Sequence, residues 1–312
     1  MKPEIIVVCG PTATGKTRLG IALAQRYAGE IVSADSMQVY RRMDIGTAKA
    51  TAEERAAVPH HMIDIVEPAE DYSVSRYVED AGAVCDRLLA AGKTPILVGG
   101  TGLYIDSLLS GRDFAERSPE DLCLREALNA EYDRIGGEAM LETLRAFDAE
   151  RAAKLHPADK RRIVRAIEIY RLTGETITRH DEETKARPPR YRAFTVALSY
   201  QNRADLYARI DRRVEEMAAE GLFEEVEGLL REGLPAESTA MQAIGYKEAV
   251  LAVKGEMSRA DAVAAIQQAS RRYAKRQLTW FGRNREAHWL RWDATPDFNK
   301  ALAEIDALLS TE

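Results

Sequence analysis

Ile5-Ile6-Val7-Val8 is an unbroken β-branched run. A run without polar alternation is what a parallel strand covered on both faces requires. After a glycine-rich stretch, Leu19, Leu23 and Tyr27 recur at helical spacing along Arg18–Tyr27. Glu30-Ile-Val-Ser-Ala34 predicts a second short strand ending at Asp35, and Tyr72–Ala91 predicts a helix closed by Gly92. Thr94-Pro-Ile-Leu-Val98 is another buried-strand run, followed by Gly99-Gly100-Thr101-Gly102 and a helix over Leu103–Leu109. The repeated order of strand, loop and helix implies βαβ units and a parallel sheet.

The pattern changes near Gly111. From Pro119 to Glu183 the apolar spacing is helical, with helices expected over Pro119–Arg134, Gly137–Phe147, Glu150–Leu155 and Lys160–Thr173. Arg187-Pro-Pro-Arg190 marks a boundary. Ala193-Phe-Thr-Val-Ala-Leu198 then returns to a strand pattern. Long helices follow over Arg203–Glu232, with a break at Gly221, and over Ala260–Phe281, and a final one is centred on Ala301–Leu309.

Gly10-Pro11-Thr12-Ala13-Thr14-Gly15-Lys16-Thr17 lies between the first strand and the first helix and satisfies the P-loop pattern in full. Such a loop turns backbone N–H groups toward an anion, adds the lysine charge, and offers the Thr17 hydroxyl to Mg²⁺. It does not say which phosphate compound is bound. The expected fold class is α/β: a P-loop parallel-sheet core interrupted by a helical insertion domain. Its parts are a first core segment 1–112, the insertion 113–190 and a second core segment 191–312 with the C-terminal helices.

At 312 residues, 46% hydrophobic and 30% charged, the composition is that of a globular protein. No apolar run approaches the roughly 20 residues that span a bilayer. The first strand runs directly into the P-loop without a cleavage site, so it does not read as a signal peptide. Cys9, Cys85 and Cys123 are widely spaced and indicate neither zinc nor disulfides. A cytoplasmic protein with reduced thiols is expected. The net charge of −6 argues mildly against a nucleic-acid partner, but binding depends on local patches. Arg271, Arg272, Lys275, Arg276, Arg283 and Arg285 form one basic run; Lys160, Arg161, Arg162, Arg165 and Arg171 form another, with Glu168 as its single acid.

Asp35 follows the second strand, so in a parallel sheet it should face the same crevice as the P-loop. It could ligate Mg²⁺, accept a proton from a nucleophile, or merely cap the Asp35-Ser36 turn. Thr101 brings a hydroxyl toward the same crevice from a loop whose glycines permit close backbone approach. His60-His61 has no further ligand at useful spacing and reads as structural loop.

Taken together, GPTATGKT (10–17), SADSMQVYRRMDIGTAK (33–49), PHHMIDIVEP (59–68), PILVGGTGLYIDSLL (95–109), DKRRIVRAIEIY (159–170), AIGYKE (243–248) and YAKRQLTWFGR (273–283) resemble the tRNA dimethylallyltransferase family. The segments occur in the family's order and cover most of the chain. The resemblance implies transfer of a dimethylallyl group from dimethylallyl diphosphate to the exocyclic N6 amine of the adenosine 3′-adjacent to the anticodon, with release of diphosphate and Mg²⁺ as cofactor. It implies Asp35 as general base, Thr101 in the reaction channel, and Arg213 at the diphosphate, with Arg209 a near neighbour at helical spacing. It implies tRNA contacts from Asp35, Ser36, Met37 and Gln38, from Gln242, Ala243, Ile244, Gly245, Tyr246 and Lys247, and from Arg161, Arg162, Ile163, Val164 and Arg165. The anticodon stem-loop would be clasped between core and insertion, by a monomer away from any membrane. The basic runs are otherwise solvated helix faces; aromatics Tyr273, Trp280 and Phe281 interleave the 271–285 run, where the apolar spacing of Tyr273, Leu278 and Phe281 indicates core packing. An adenylate-type prenyltransferase, a P-loop nucleotide kinase and a non-catalytic RNA-binding protein are the alternatives.

Overall fold

The computed structural model describes residues 3–112 and 119–311; residues 113–118 of the expected insertion lie outside them. The described residues fall into two compact units, one within Met1–Gly111 and Arg190–Glu312, the other within Arg112–Pro189.

The first unit begins with β1 (Ile5–Cys9), α1 (Lys16–Arg26), β2 (Gly29–Ser33), α2 (Ala52–Ala57), β3 (His60–His61), α3 (Val74–Ala90), β4 (Thr94–Gly99) and α4 (Gly102–Ser110). The second unit holds α5 (Pro119–Ile135), α6 (Gly137–Arg145), α7 (Ala149–Ala153), α8 (Lys160–Thr173) and α9 (Ile177–Ala186). The first unit then continues with β5 (Ala193–Tyr200), α10 (Arg203–Glu220), α11 (Leu222–Arg231), a 3-10 turn at Ala240–Gln242, α12 (Tyr246–Val253), α13 (Arg259–Phe281), β6 (His288–Trp292) and α14 (Phe298–Thr311). The break expected at Gly221 separates α10 from α11, where the glycine takes φ 111°, a conformation that an L side chain resists.

The strands form one parallel sheet in the order β3-β2-β4-β1-β5-β6. The apolar run Ile5–Cys9 is fully buried at its centre, as its lack of alternation requires. Ser33 pairs with Val98, and Cys9 pairs with Gly99. The carboxyl ends of β1, β4 and β2 therefore stop level with one another, and their three loops open on the same side of the sheet.

Two strands differ from the sequence expectation. His60-His61 is not loop but a short edge strand, paired with Ile31 and Val32. Its His61 Nε2 lies 2.6 Å from a Glu30 carboxylate oxygen, and His60 Nδ1 lies 2.7 Å from the Val58 carbonyl. The acid partner of the pair thus comes from the neighbouring strand, thirty-one positions away. β6, His-Trp-Leu-Arg-Trp at the other edge, buries Leu290 and Trp292 but exposes Arg291 between them, and so lacks the continuous apolar run that betrays a central strand.

The second unit is built on its own apolar core. Leu128, Met140, Leu144, Ile163, Val164 and Ile167 are buried together. α8 coincides with the helix expected over Lys160–Thr173 and ends at Gly174, φ 72°.

Glycine is required where backbone crosses backbone. A Cβ on Gly99 would stand 2.1 Å from the Ala34 carbonyl oxygen, whereas one on Gly228, inside α11, would meet nothing within 4 Å. Gly99→Ala should therefore lower stability by about 1–3 kcal/mol. Gly228→Ala should raise it by about 0.5–1 kcal/mol by restricting the unfolded chain. Denaturant melts of both variants check this pair, and equal effects of the two would refute the packing argument.

Candidate active site

A cavity of about 490 Å³ lies in the first unit over the level strand ends. Its walls come from the P-loop and the start of α1, from Asp35–Gln38 after β2, from Gly46–Ala48 and Glu54, from Gly99-Gly100 after β4, from Thr239 and Gln242–Gly245, and from faces of α10 and α13.

Gly10 (φ 136°), Ala13 (φ 64°) and Gly15 (φ 82°) give the P-loop its repeated left-handed turns, the geometry that gathers N–H groups around an anion. α1 begins at Lys16 with its positive end toward the cavity. Thr12, Ala13, Gly15, Lys16 and Thr17 line the wall. Gly10, Pro11 and Thr14 shape the loop from behind: Thr14 Oγ1 donates to the Pro11 carbonyl at 2.9 Å, and so does Lys16 Nζ at 2.6 Å. Two supports reach the loop from distant chain positions. Trp292 Nε1 in β6 donates to the Thr14 carbonyl at 2.9 Å. The Phe298 ring sits 2.7 Å from where a Gly15 Cβ would lie, with the Arg18 guanidinium 4.4 Å from the ring centre.

Arg213 also lines the cavity, from α10, and its Nη1 donates to Thr12 Oγ1 at 3.4 Å. Arg209, one helical turn earlier, is exposed and outside the wall. Burial, and then the nearby Arg213, lower the Lys16 pKa to about 8. Burial likewise holds Arg213 below the usual range. Two cations crowded at one end of a cavity suit an anionic ligand. Burial pushes the neighbouring Cys9 thiol up to about 12, so it stays protonated and inert.

Asp35 lines the same cavity and accepts a hydrogen bond from the Met37 N–H at 2.9 Å. The turn role is therefore real and coexists with a place on the wall. Thr101 stands one layer back: its Oγ1 accepts from the Ser36 N–H at 3.1 Å, so it braces the Asp35 turn. Among the described residues no group of three or more His, Cys, Asp or Glu side chains could hold a metal. The Thr17 hydroxyl suits a divalent cation held mainly by substrate phosphate oxygens and water, as Mg²⁺ commonly is.

The lining also includes apolar side chains: Val98 from β4, Ile210, Val214 and Met217 from α10, and Ile266 from α13. α13 closes the cavity with Tyr273, Arg276 and Gln277. Tyr273 was expected in the core; it faces the cavity instead, while Phe281 is buried and Leu278 packs against the core. Gln277 carries a role that the sequence reading missed. It is buried, accepts from the Thr12 N–H at 3.1 Å and donates to the Gly100 carbonyl at 2.9 Å. One amide thereby ties the P-loop to the Gly99–Gly102 loop. Its signal was present as a polar residue one turn after Tyr273, on the same helix face. Trp292 and Phe298 had no such signal.

The residues expected to contact tRNA divide. Arg161 and Arg162 are exposed on α8, and Arg165 pairs with buried Glu168 at 2.7 Å. Ile163 and Val164 are only 0% and 3% exposed, in the core of the second unit, so their side chains cannot touch a nucleic acid. Ser36, Met37, Gln38, Gln242, Ala243, Ile244 and Gly245 line the cavity, and Lys247 is exposed. Tyr246 is buried instead, with its hydroxyl donated to Glu225 at 2.5 Å. The Gln38 amide is already engaged: its oxygen accepts from Ser33 at 3.0 Å, and its nitrogen donates to the Thr47 and Ala48 carbonyls at 3.2 and 3.3 Å.

The family model described as IPP transferase matches residues 38–285, and that described as isopentenyl transferase matches residues 3–64. This chain belongs to the IPP transferase family. A tRNA dimethylallyltransferase of Caldanaerobacter subterraneus subsp. tengcongensis is 46% identical over 301 residues, covering 96% of this chain and 94% of the relative. The crystal structure of a tRNA isopentenylpyrophosphate transferase from Bacillus halodurans is 39% identical with a TM-score of 0.73, covering 99% of this chain and 96% of that one. A eukaryotic dimethylallyltransferase captured acting on tRNA is 29% identical with a TM-score of 0.79, covering 99% of this chain and 80% of that one. This IPP transferase is accordingly an enzyme of the transferase class with the α/β fold of its relatives. Among the described residues, no helix is long and apolar enough to cross a membrane.

The Lys16 environment has a measurable consequence. Its folded-state pKa of about 8 lies below the ordinary 10.5. Between those values the unfolded chain holds more protons, so the stability of the ligand-free IPP transferase rises as pH climbs through that window. A bound anion restores the charged lysine. Binding of an alkyl diphosphate should thus take up protons at about pH 8.5, whereas at about pH 6.5, near the last ionisation of the phosphate itself, Lys16 adds no uptake and the ligand releases protons. Titration calorimetry in buffers of different ionisation enthalpy reads this uptake, and a buffer-independent heat at the higher pH would rule it out.

Proposed function

We propose that this IPP transferase moves a dimethylallyl group from dimethylallyl diphosphate to the exocyclic N6 amine of the adenosine 3′-adjacent to the anticodon in tRNA, releasing diphosphate. The observation that carries this reading is one cavity with two crowded cations at one end, a carboxylate on its wall and an apolar face between helices. A kinase needs the first feature; a bound five-carbon group accounts for the last.

In this reading Lys16, Arg213 and the N-terminus of α1 hold the diphosphate and neutralise the charge that gathers on it as the C1–O bond breaks. Ile210, Val214, Met217 and Ile266 hold the five-carbon group and exclude water from the electron-poor carbon. The amine nitrogen forms its bond to C1, the electron pair of the broken bond leaves with the diphosphate, and Asp35 accepts the N–H proton. Removing that proton as the bond forms lowers the barrier for a weakly nucleophilic aryl amine. Thr101, through Ser36, keeps the Asp35 turn in place. Mg²⁺, held by the Thr17 hydroxyl and the substrate's own oxygens, would supply further neutralisation of the leaving diphosphate. The base must leave the loop stack to reach the cavity. Ser36, Met37 and Gln242–Gly245 receive it, and Arg161, Arg162, Lys247, Lys275 and Arg276 meet backbone phosphates. The enzyme works in the cytoplasm.

The deciding assay supplies labelled dimethylallyl diphosphate and Mg²⁺ with unmodified tRNA, with AMP, or with no acceptor. Transfer to tRNA alone is expected. Transfer to AMP would move the enzyme to the nucleotide-using class, and no transfer to either would defeat the reading. Asp35→Asn should leave tRNA binding nearly intact and slow transfer by roughly 10²–10⁴-fold; single-turnover rates with undiminished speed would remove Asp35 from the base role. Raising salt should weaken tRNA binding steeply, each phosphate contact adding about 0.7–0.9 to the log–log slope. A flat response in a filter-binding series would mean that the basic helices make no phosphate contacts.

A further inference from the structure

Glu225 lies on α11, outside the cavity wall, yet its carboxylate is the meeting point of two segments that form that wall. One oxygen accepts from the N–H groups of Asp44 and Ile45 at 2.8 and 2.9 Å. The other accepts from the Gly46 N–H at 3.2 Å and from the Tyr246 hydroxyl at 2.5 Å. The backbone of residues 44–46 is thus wrapped on an internal anion, as such concave runs of N–H groups are on phosphates. Gly46 presses against the Tyr246 ring so closely that a Cβ would stand 2.4 Å from it. The next residues, Thr47 and Ala48, face the cavity, and their carbonyls hold the Gln38 amide three positions after Asp35. On the other side of the carboxylate, Tyr246 directly follows Ala243–Gly245, the second stretch of this wall.

We propose that Glu225 is the positioning residue for the acceptor side of the site. It fixes residues 44–48 against residues 243–246 and, through Gln38, sets the turn that carries Asp35. This inference rests on the proposed transfer to tRNA. The donor side is supported separately, by Trp292 on Thr14 and by Gln277 on Thr12, so loss of Glu225 should separate the two substrates.

Glu225→Gln tests this with little change of volume. An amide NH₂ turned toward Asp44 and Ile45 meets two N–H donors, and one turned toward Gly46 meets a single N–H because the Tyr246 hydroxyl can turn to accept, so the cluster loses one or two of its four hydrogen bonds together with the carboxylate charge. The expected result is a fall in kcat/KM for tRNA of roughly 10- to 100-fold, with KM for dimethylallyl diphosphate within about twofold of the unsubstituted enzyme. Amide exchange at Asp44–Gly46 should also quicken. Tyr246→Phe, which deletes one donor, should move the same parameters less and carries the comparison should Glu225→Gln fail to fold. Unchanged kcat/KM for tRNA would overturn the assignment, and so would an equal rise in both KM values, the mark of general loosening. Absence of transfer by the unsubstituted enzyme would defeat the functional reading and this assignment together.

Discussion

The parallel register that ends β1, β4 and β2 at one level is the constraint on which the site depends. Each strand end releases a loop toward the same side, and each loop brings a different chemistry: N–H groups and a lysine after β1, a carboxylate after β2, close-packed glycines and Thr101 after β4. A parallel sheet can do this because every strand in it presents the same end to the crevice. Nothing else in the fold would bring Lys16 and Asp35 to one cavity without a long loop.

Helix α13 completes what the sheet begins. Its Gln277 needs Gly100, and its Trp280 needs Gly102, since a Cβ at either glycine would fall 2.2 or 2.3 Å from the partner side chain. The glycines after β4 thus serve the approach of a helix from far along the chain, as well as access for a ligand. The same helix presents Tyr273 and Arg276 to the cavity. Electrostatics gives the cavity its direction. Burial disfavours the charges of Lys16 and Arg213 at one end, and the nearby Arg213 adds to the effect on Lys16, while Asp35 stands on the wall.

Much of this was legible in the chain. The buried runs of β1 and β4, and the strand, loop and helix order that they share with β2, marked a parallel sheet because strands buried on both faces leave no room for alternation. The P-loop was legible because its spacing encodes a local conformation, and Asp35 because it closes a strand. β6 and β3 were not, since edge strands keep polar positions. The resemblance implies contacts for whole motif segments, Ile163, Val164 and Tyr246 included, whereas burial divides each segment residue by residue. A helix that presents Arg161 and Arg162 outward must turn Ile163 and Val164 inward.

By itself the sequence determined the central strands and the longer helices, their parallel arrangement, the P-loop and the family, because these depend on short-range periodicity, local turn chemistry and motif order. Tertiary structure alone decided that Arg213 rather than Arg209 faces the cavity, that Thr101 stands behind Ser36, and that Trp292, Gln277 and Glu225 hold the loops in place. These roles join residues separated by as many as 278 positions. No periodicity links such pairs; they exist only once the sheet has stacked its strand ends and the later helices have packed across them.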